Sequence, residues 1–123
     1  MARLVVIDDE IDLCELIRRM FLDQGHEVVY FTDEDEALTW LRQENADLLI
    51  VDIQLRRKTG LDILRQMNNL NLHPKVIIIT AYPSIRTAKE AASLGACDYL
   101  IKPVDIDELE RKVNRILGES RIN

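Results

Sequence analysis

The sequence is poor in the residues that staple, break or open a chain. It holds two cysteines, four glycines and three prolines among its 123 residues. The cysteines, Cys14 and Cys97, sit in apolar stretches and lack metal-ligand or redox spacing, which argues against a disulfide framework or a zinc ribbon. Both read as buried, reduced thiols. The glycines stand at 25, 60, 95 and 118. None makes a Gly-rich turn after the first apolar run, which argues against a dinucleotide- or flavin-binding domain. No apolar run approaches the ~20 residues that span a bilayer. No secretory leader precedes Arg3, and the chain reads as cytoplasmic. Positive charge is also short, with 16 Lys and Arg against 22 Asp and Glu, a net charge of −6. That disfavours a nucleic-acid-binding domain and attraction to an anionic membrane. It suits a metal cation or a basic patch on a partner.

What is present is alternation. Four apolar runs stand out: Leu4-Val5-Val6-Ile7, Val28-Val29-Tyr30-Phe31, Leu48-Leu49-Ile50-Val51 and Val76-Ile77-Ile78-Ile79. A weaker fifth is Tyr99-Leu100-Ile101. They are short, β-branched and mostly without polar alternation, as parallel strands covered on both faces are. Helical periods lie between them. Leu13, Ile17, Met20 and Phe21 form the first, stopped by Gly25. The second opens at Thr32 and carries Ala37, Leu38 and Leu41, with Trp40 as packing. Leu61, Leu64, Met67 and Leu70 mark the third. Ile85, Ala88, Ala91 and Ala92 mark the fourth, from Ser84 to a stop at Gly95. The fifth opens on a capping-box-like pair, Asp105 and Glu108, and Gly118 closes it. Five βα units with short connections predict one α/β domain, a doubly wound five-stranded parallel sheet with helices on both faces. The domain is read as residues 1–119, and 120–123 as a polar tail that starts a linker to an output domain.

Such a sheet binds its ligand beyond the carboxyl ends of the strands, so the residues there carry the chemistry. Asp8, Asp9 and Glu10 follow the first strand. Asp52 ends the third, Thr80 the fourth, with Ala81 next, and Lys102-Pro103 follows the fifth. Alone, each has a plain reading: Asp8 and Asp9 favour a helix N-terminus, Thr80 is a strand residue, and Lys102 a surface lysine. His26 and His73 fall in loops without spaced partners. Together, three carboxylates at one mouth repel one another, and like charges raise a pKa. A divalent cation removes that problem, and an oxygen-only donor set suits Mg²⁺. Lys102 adds a positive charge without closing the site, which leaves room for an anion sharing the metal. A phosphoryl group fits, with a carboxylate as nucleophile and the Thr80 hydroxyl and Ala81 N–H as donors to it.

The segments VVIDDE (5–10), LLIVDIQL (48–55), IIITAY (77–82) and DYLIKPV (98–104) resemble the receiver domains of two-component response regulators, over about Arg3 to Leu117. The resemblance implies a flavodoxin-like strand order of 2-1-3-4-5. It implies that Asp52 accepts a phosphoryl group from a sensor histidine kinase or phosphotransfer protein. Mg²⁺ is held by Asp9, by Asp8, by Asp52 and by the Gln54 backbone carbonyl. Lys102 contacts the phosphoryl group, and Thr80 and Tyr99 are switch residues. The Lys102–Pro103 peptide is expected to be cis. The implied function is a signalling phosphoacceptor that assists its own phosphorylation and dephosphorylation. Its helix 4–strand 5–helix 5 face controls an output domain or partner, in a transcriptional setting, with a phosphorylation-dependent homodimer as one outcome. The family usually has Pro at position 56, where this chain has Arg56. The Arg56-Arg57-Lys58 run reads as a solvated loop that also suits an acidic partner surface. Two other functions fit less well. A pseudo-receiver normally loses one of these site residues. A small-molecule phosphohydrolase places its nucleophile after the first strand.

Overall fold

The computed structural model describes residues 1–122, with side chains through residue 118. Five strands and five helices alternate: β1 (Arg3–Ile7), α1 (Ile11–Asp23), β2 (Glu27–Phe31), α2 (Glu34–Gln43), β3 (Leu48–Asp52), α3 (Gly60–Asn69), β4 (Lys75–Thr80), α4 (Ile85–Ser93), β5 (Asp98–Ile101) and α5 (Ile106–Ile122). The strands form one parallel sheet in the order β2-β1-β3-β4-β5. Every expected strand is present, each one or two residues longer than its apolar run.

The apolar runs split by alternation. Leu4 and Val6 of β1 join Cys14, Ile17 and Phe21 of α1 and Leu109, Val113 and Ile116 of α5 in one cluster. Val5 and Ile7 join Leu38 and Leu41 of α2, Leu64 and Met67 of α3 and Ala91 of α4 in another. Because side chains of a strand point to opposite faces at period two, a continuous apolar strand fills both cores at once. In β3 all five residues are buried. Fully burying a side chain such as Ile50 contributes roughly 1.5–3 kcal/mol.

Local chemistry sets the helix ends. Asp33, not Thr32, caps α2: its side chain accepts the N–H groups of Asp35 and Glu36. Thr59 and Asp62 form a reciprocal capping box at the start of α3, a signature the sequence carries as T-x-x-D. Asp105 Oδ1 accepts the Glu108 N–H at 3.1 Å before α5. Gly25 and Gly95 end α1 and α4 with positive φ of 87° and 100°, a conformation that glycine adopts without steric cost.

Four expectations are corrected. Gly118 does not close α5, which runs on through Ile122. A helical Gly costs about 1 kcal/mol relative to Ala but does not by itself terminate a helix. The end of the expected tail, Asn123, lies outside the described residues. Ile85 and Ala92 do not face the core: Ile85 is 76% exposed, and Ala91 is the buried residue of α4. Leu70 caps α3 and is exposed. Cys97 is exposed while Cys14 is buried, because Cys97 precedes the edge strand β5 rather than lying within it. No helix among the described residues is long and apolar enough to cross a membrane.

Candidate functional site

The register of the sheet brings the site together. β1 and β3 are direct neighbours, with Ile7 opposite Val51. The residues that follow, Asp8 and Asp52, therefore leave the sheet at the same edge. One carboxylate oxygen each from Asp8, Asp9 and Asp52 lies within 4.8 Å of the others. Asp8 and Asp52 are buried and Asp9 is exposed. Asp8 Oδ1 accepts the Glu10 N–H at 2.8 Å, and Asp52 Oδ1 accepts the Gln54 N–H at 3.0 Å. Each buried acid thus has one oxygen fixed by the backbone and the other turned to the crevice.

Lys102 meets those free oxygens. Its Nζ lies 2.8 Å from Asp52 Oδ2, 3.0 Å from Asp8 Oδ2 and 3.0 Å from Glu10 Oε1. The Lys102 N–H donates to the Thr80 carbonyl at 2.8 Å, which ties the lysine's backbone to the end of β4, and the Lys102–Pro103 peptide is cis. Burial opposes the ammonium charge, but its contacts with the carboxylates of Asp52, Asp8 and Glu10 outweigh it and raise the pKa of Lys102. Burial raises the pKa of Asp8, against the Glu10 N–H and Lys102, and the Asp52 charge adds to the rise. Asp8 Oδ2 is a buried oxygen that no well-aligned hydrogen bond satisfies. Burial, helped by Asp8, also pushes the Cys14 thiol up to about 12. Its Sγ donates to the Asp8 carbonyl at 3.4 Å, which leaves it an inert packing residue.

This donor set fits a hard divalent cation. It offers carboxylate oxygens only, partly buried, with Asp8 Oδ2 held by the Lys102 ammonium alone and solvent access past Asp9. Mg²⁺ prefers such ligands and keeps several waters. Softer metals would want thiolate or imidazole, and this cluster holds neither.

Thr80 is fully buried. Its hydroxyl donates to Gln54 Oε1 at 2.8 Å and accepts the Tyr82 N–H at 3.0 Å. Gln54 therefore links Thr80 to Asp52, through its side chain on one hand and its N–H on the other. Ala81 follows Thr80 and is exposed. Tyr99 does not join the carboxylates. Its half-buried ring packs against the second core, and its hydroxyl meets Thr87 Oγ1 of α4 at 3.1 Å.

Two features were missed in the sequence. Glu10 shares the Lys102 ammonium; its position beside the acidic pair was visible, but its partner was not. The Arg56–Lys58 run is not simply a solvated loop. Arg57 pairs with Asp33, Glu34 and Asp35, and Lys58 with Asp35. The acids lie more than twenty residues earlier, so only the fold reveals them.

Known proteins share this fold. The family model of the response regulator receiver domain matches residues 4–114. The transcriptional regulatory protein ZraR of Klebsiella oxytoca is 33% identical over 98% of this chain, which spans only 27% of that protein. The signal receiver domain of a LuxO repressor protein from Vibrio parahaemolyticus superposes with a TM-score of 0.92 at 26% identity, covering 98% of this chain and 93% of that one. The Thermotoga maritima response regulator TrrA, solved in complex with Mg²⁺-BeF, gives a TM-score of 0.82 at 30% identity, covering 94% and 99% of the two chains. The matched segment takes in Asp8, Asp52, Thr80 and Lys102 and nearly the whole sheet-and-helix framework, and the chain belongs to the response regulator receiver domain family.

Proposed function

We propose that Asp52 is the phosphoacceptor of a two-component phosphorelay. The observation that carries this reading is the Lys102 ammonium held 2.8 Å from Asp52 Oδ2, beside the acidic cluster of Asp8, Asp9 and Asp52. Asp9, Asp8, Asp52 and the backbone carbonyl of Gln54 would hold Mg²⁺. When bound, Mg²⁺ supplies charge neutralisation for the phosphoryl oxygens.

The chain's own residues do the rest. The Gln54 N–H fixes one oxygen of Asp52 and so orients the carboxylate. An Asp52 oxygen forms the new P–O bond while the P–N bond of a kinase phosphohistidine breaks, its electron pair remaining on the imidazole nitrogen. Lys102 neutralises charge on the phosphoryl oxygens, and Thr80 Oγ1 and the Ala81 N–H donate to the product. The same residues assist hydrolysis of the acyl phosphate. Recruitment of Thr80 is coupled to Tyr99 and α4, and alters the α4–β5–α5 face. The readers of that face are an output domain or downstream protein, or a second phosphorylated copy. ZraR is a transcriptional regulatory protein of which this chain spans 27%, which supports a transcriptional output reached through a linker after α5. The setting is cytoplasmic, without direct nucleic-acid contact by this domain and without a membrane.

The test is incubation with Mg²⁺ and acetyl phosphate, followed by intact mass measurement. One acid-stable, base-labile phosphate adduct is expected, absent from Asp52→Asn. Folded protein that gains no adduct with Mg²⁺ present refutes the assignment.

A further inference from the structure

We propose that Glu34 is a positioning residue for the Mg²⁺-binding loop, a role that rests on the phosphoacceptor reading above. The loop from residue 53 to 59 joins β3 to α3 and carries Gln54. It contains no proline, so nothing in its covalent structure stiffens it. At its inner end the loop is tied by the Gln54–Thr59 bridge and by the Gly60 N–H donating to the Ile53 carbonyl at 2.9 Å. Its outer end is tied from α2. Glu34, the first residue of that helix, is only 1% exposed. Its Oε1 accepts the backbone N–H groups of Arg57 at 2.5 Å and Lys58 at 3.1 Å. Arg57 Nε lies 3.6 Å from the same oxygen, and the Arg57 guanidinium closes over it from outside by pairing with Asp33 and Asp35.

An acid in the first turn of a helix is normally solvated there and stabilised by the helix dipole. Burying one is costly unless it is fully bonded. Glu34 spends its burial on two backbone groups of a loop outside its own helix. The loop so held places Gln54, whose N–H fixes Asp52 Oδ1 and whose side chain holds Thr80. Glu34 thus acts on the site through the loop, without touching it.

The experiment compares wild type with Glu34→Ala, Glu34→Gln and Asp35→Ala. Mg²⁺ dissociation constants come from calorimetry, adduct formation from intact mass, and folding from thermal melts. Glu34→Ala is expected to weaken Mg²⁺ binding by about tenfold or more, as loss of a group that orients metal ligands does, with slower adduct formation. Glu34→Gln keeps an acceptor oxygen and is expected to stay near wild type. Asp35→Ala removes only an exposed partner of the Arg57 and Lys58 side chains, leaves the Glu34 bonds to the loop amides in place, and is expected to change neither readout. Folded Glu34→Ala with the wild-type Mg²⁺ constant overturns the proposal, as does an equal loss in Glu34→Gln. A reciprocal measurement needs no variant. Coupling between two events is mutual, so Mg²⁺ must slow amide exchange at Arg57 and Lys58 in the wild type. Unchanged exchange at saturating Mg²⁺ overturns the proposal even if Glu34→Ala does not fold. Wild-type protein that takes neither Mg²⁺ nor the adduct overturns the phosphoacceptor reading itself, an outcome distinct from both.

Discussion

Lys102→Met removes the ammonium and keeps most of the apolar stem. The side chain is 10% exposed, and its two buried partners, Asp8 and Asp52, are 0% and 4% exposed. Without the lysine, two buried carboxylates face each other with oxygens within 4.8 Å. At that separation, with an effective dielectric near 20, their repulsion is about 3.5 kcal/mol. That agrees with the roughly 3–5 kcal/mol lost when one partner of a buried pair is removed. The variant can escape part of the cost by protonating Asp8, whose pKa burial already raises. A carboxyl with a raised folded pKa binds more protons in the native state than in the unfolded one, so stability rises as pH falls through that pKa. Mg²⁺ offers a second escape, by replacing the ammonium as counter-charge. Urea unfolding at pH 7 and pH 5.5, with and without Mg²⁺, resolves these contributions. The expected gap from wild type is about 3 kcal/mol at pH 7 without Mg²⁺, smaller at pH 5.5 and smallest with Mg²⁺. A gap equal in all four conditions would mean that Lys102 acts by packing alone and would refute the electrostatic argument.

Gly60→Ala is expected to destabilise the fold by about 1–3 kcal/mol in urea unfolding and to weaken Mg²⁺ binding. A Cβ there would run into the Asp52 carbonyl oxygen and sit 3.1 Å from its carbon and 3.2 Å from Ile53 Cα, all of it backbone at the site. Asp98 has a lowered pKa: burial opposes its charge, but bonds from Lys112, the Tyr99 N–H and Arg115 prevail. Its stabilising contribution is present above the unfolded value of about 3.9 and is lost as pH falls through the folded value, so Lys112→Met should flatten the acid limb of a stability–pH curve. Ile50→Ala, at a fully buried position of β3, should cost about 2–5 kcal/mol by urea unfolding and leave the unfolding slope unchanged. Amide exchange should be faster in α4 than in α1 or α3, since α4 buries only Ala91.

The parts of this fold that were legible in the sequence are those set by local patterns. The runs at 4–7, 48–51 and 76–79 could be read as buried strands because their neighbours cover both faces, so no polar alternation interrupts them. Asp8, Asp52, Thr80 and Lys102 could be read as one site because each ends or follows a strand of a parallel sheet. The misreadings have local competitors as their cause. Thr32 and Asp33 are both capping residues, and only the backbone decides between them. Gly118 has the right spacing for a stop, but α5 continues through it. Ile85 fits a helical period on a helix whose exposed face begins at its first turn. Tertiary pairings were invisible: Glu10 with Lys102 is a contact across 92 positions, and Glu34 with the Arg57 and Lys58 amides depends on α2 lying beside the β3–α3 loop.

The arrangement around Thr80 shows where a change at Asp52 would be felt most. The Thr80 hydroxyl donates its one proton to Gln54 Oε1, and its oxygen accepts the Tyr82 N–H. A phosphoryl group on Asp52, which can only accept, would recruit it by displacing Gln54 Oε1 as the acceptor of that proton. Neutral hydrogen bonds of this kind contribute about 0.5–1.5 kcal/mol each, and a bond to a phosphate oxygen is roughly twice as strong. The exchange therefore yields on the order of 1 kcal/mol, roughly a fivefold shift between two states, since about 1.4 kcal/mol is tenfold. So small a bias cannot repack β3 or β4, whose side chains are buried in both cores. It is enough for a segment held by few contacts. The turn after Thr80 is such a segment, with Tyr82 73% exposed and Ile85 76% exposed. The helix it leads into is held by one buried alanine, the Thr87–Tyr99 hydroxyl contact and the Arg65–Glu90 ion pair. On the proposed reading, motion would follow the path of least burial, from Thr80 through the turn at Tyr82 into α4. Tyr99 would follow because its hydroxyl is bonded to that helix, not because it touches the carboxylates.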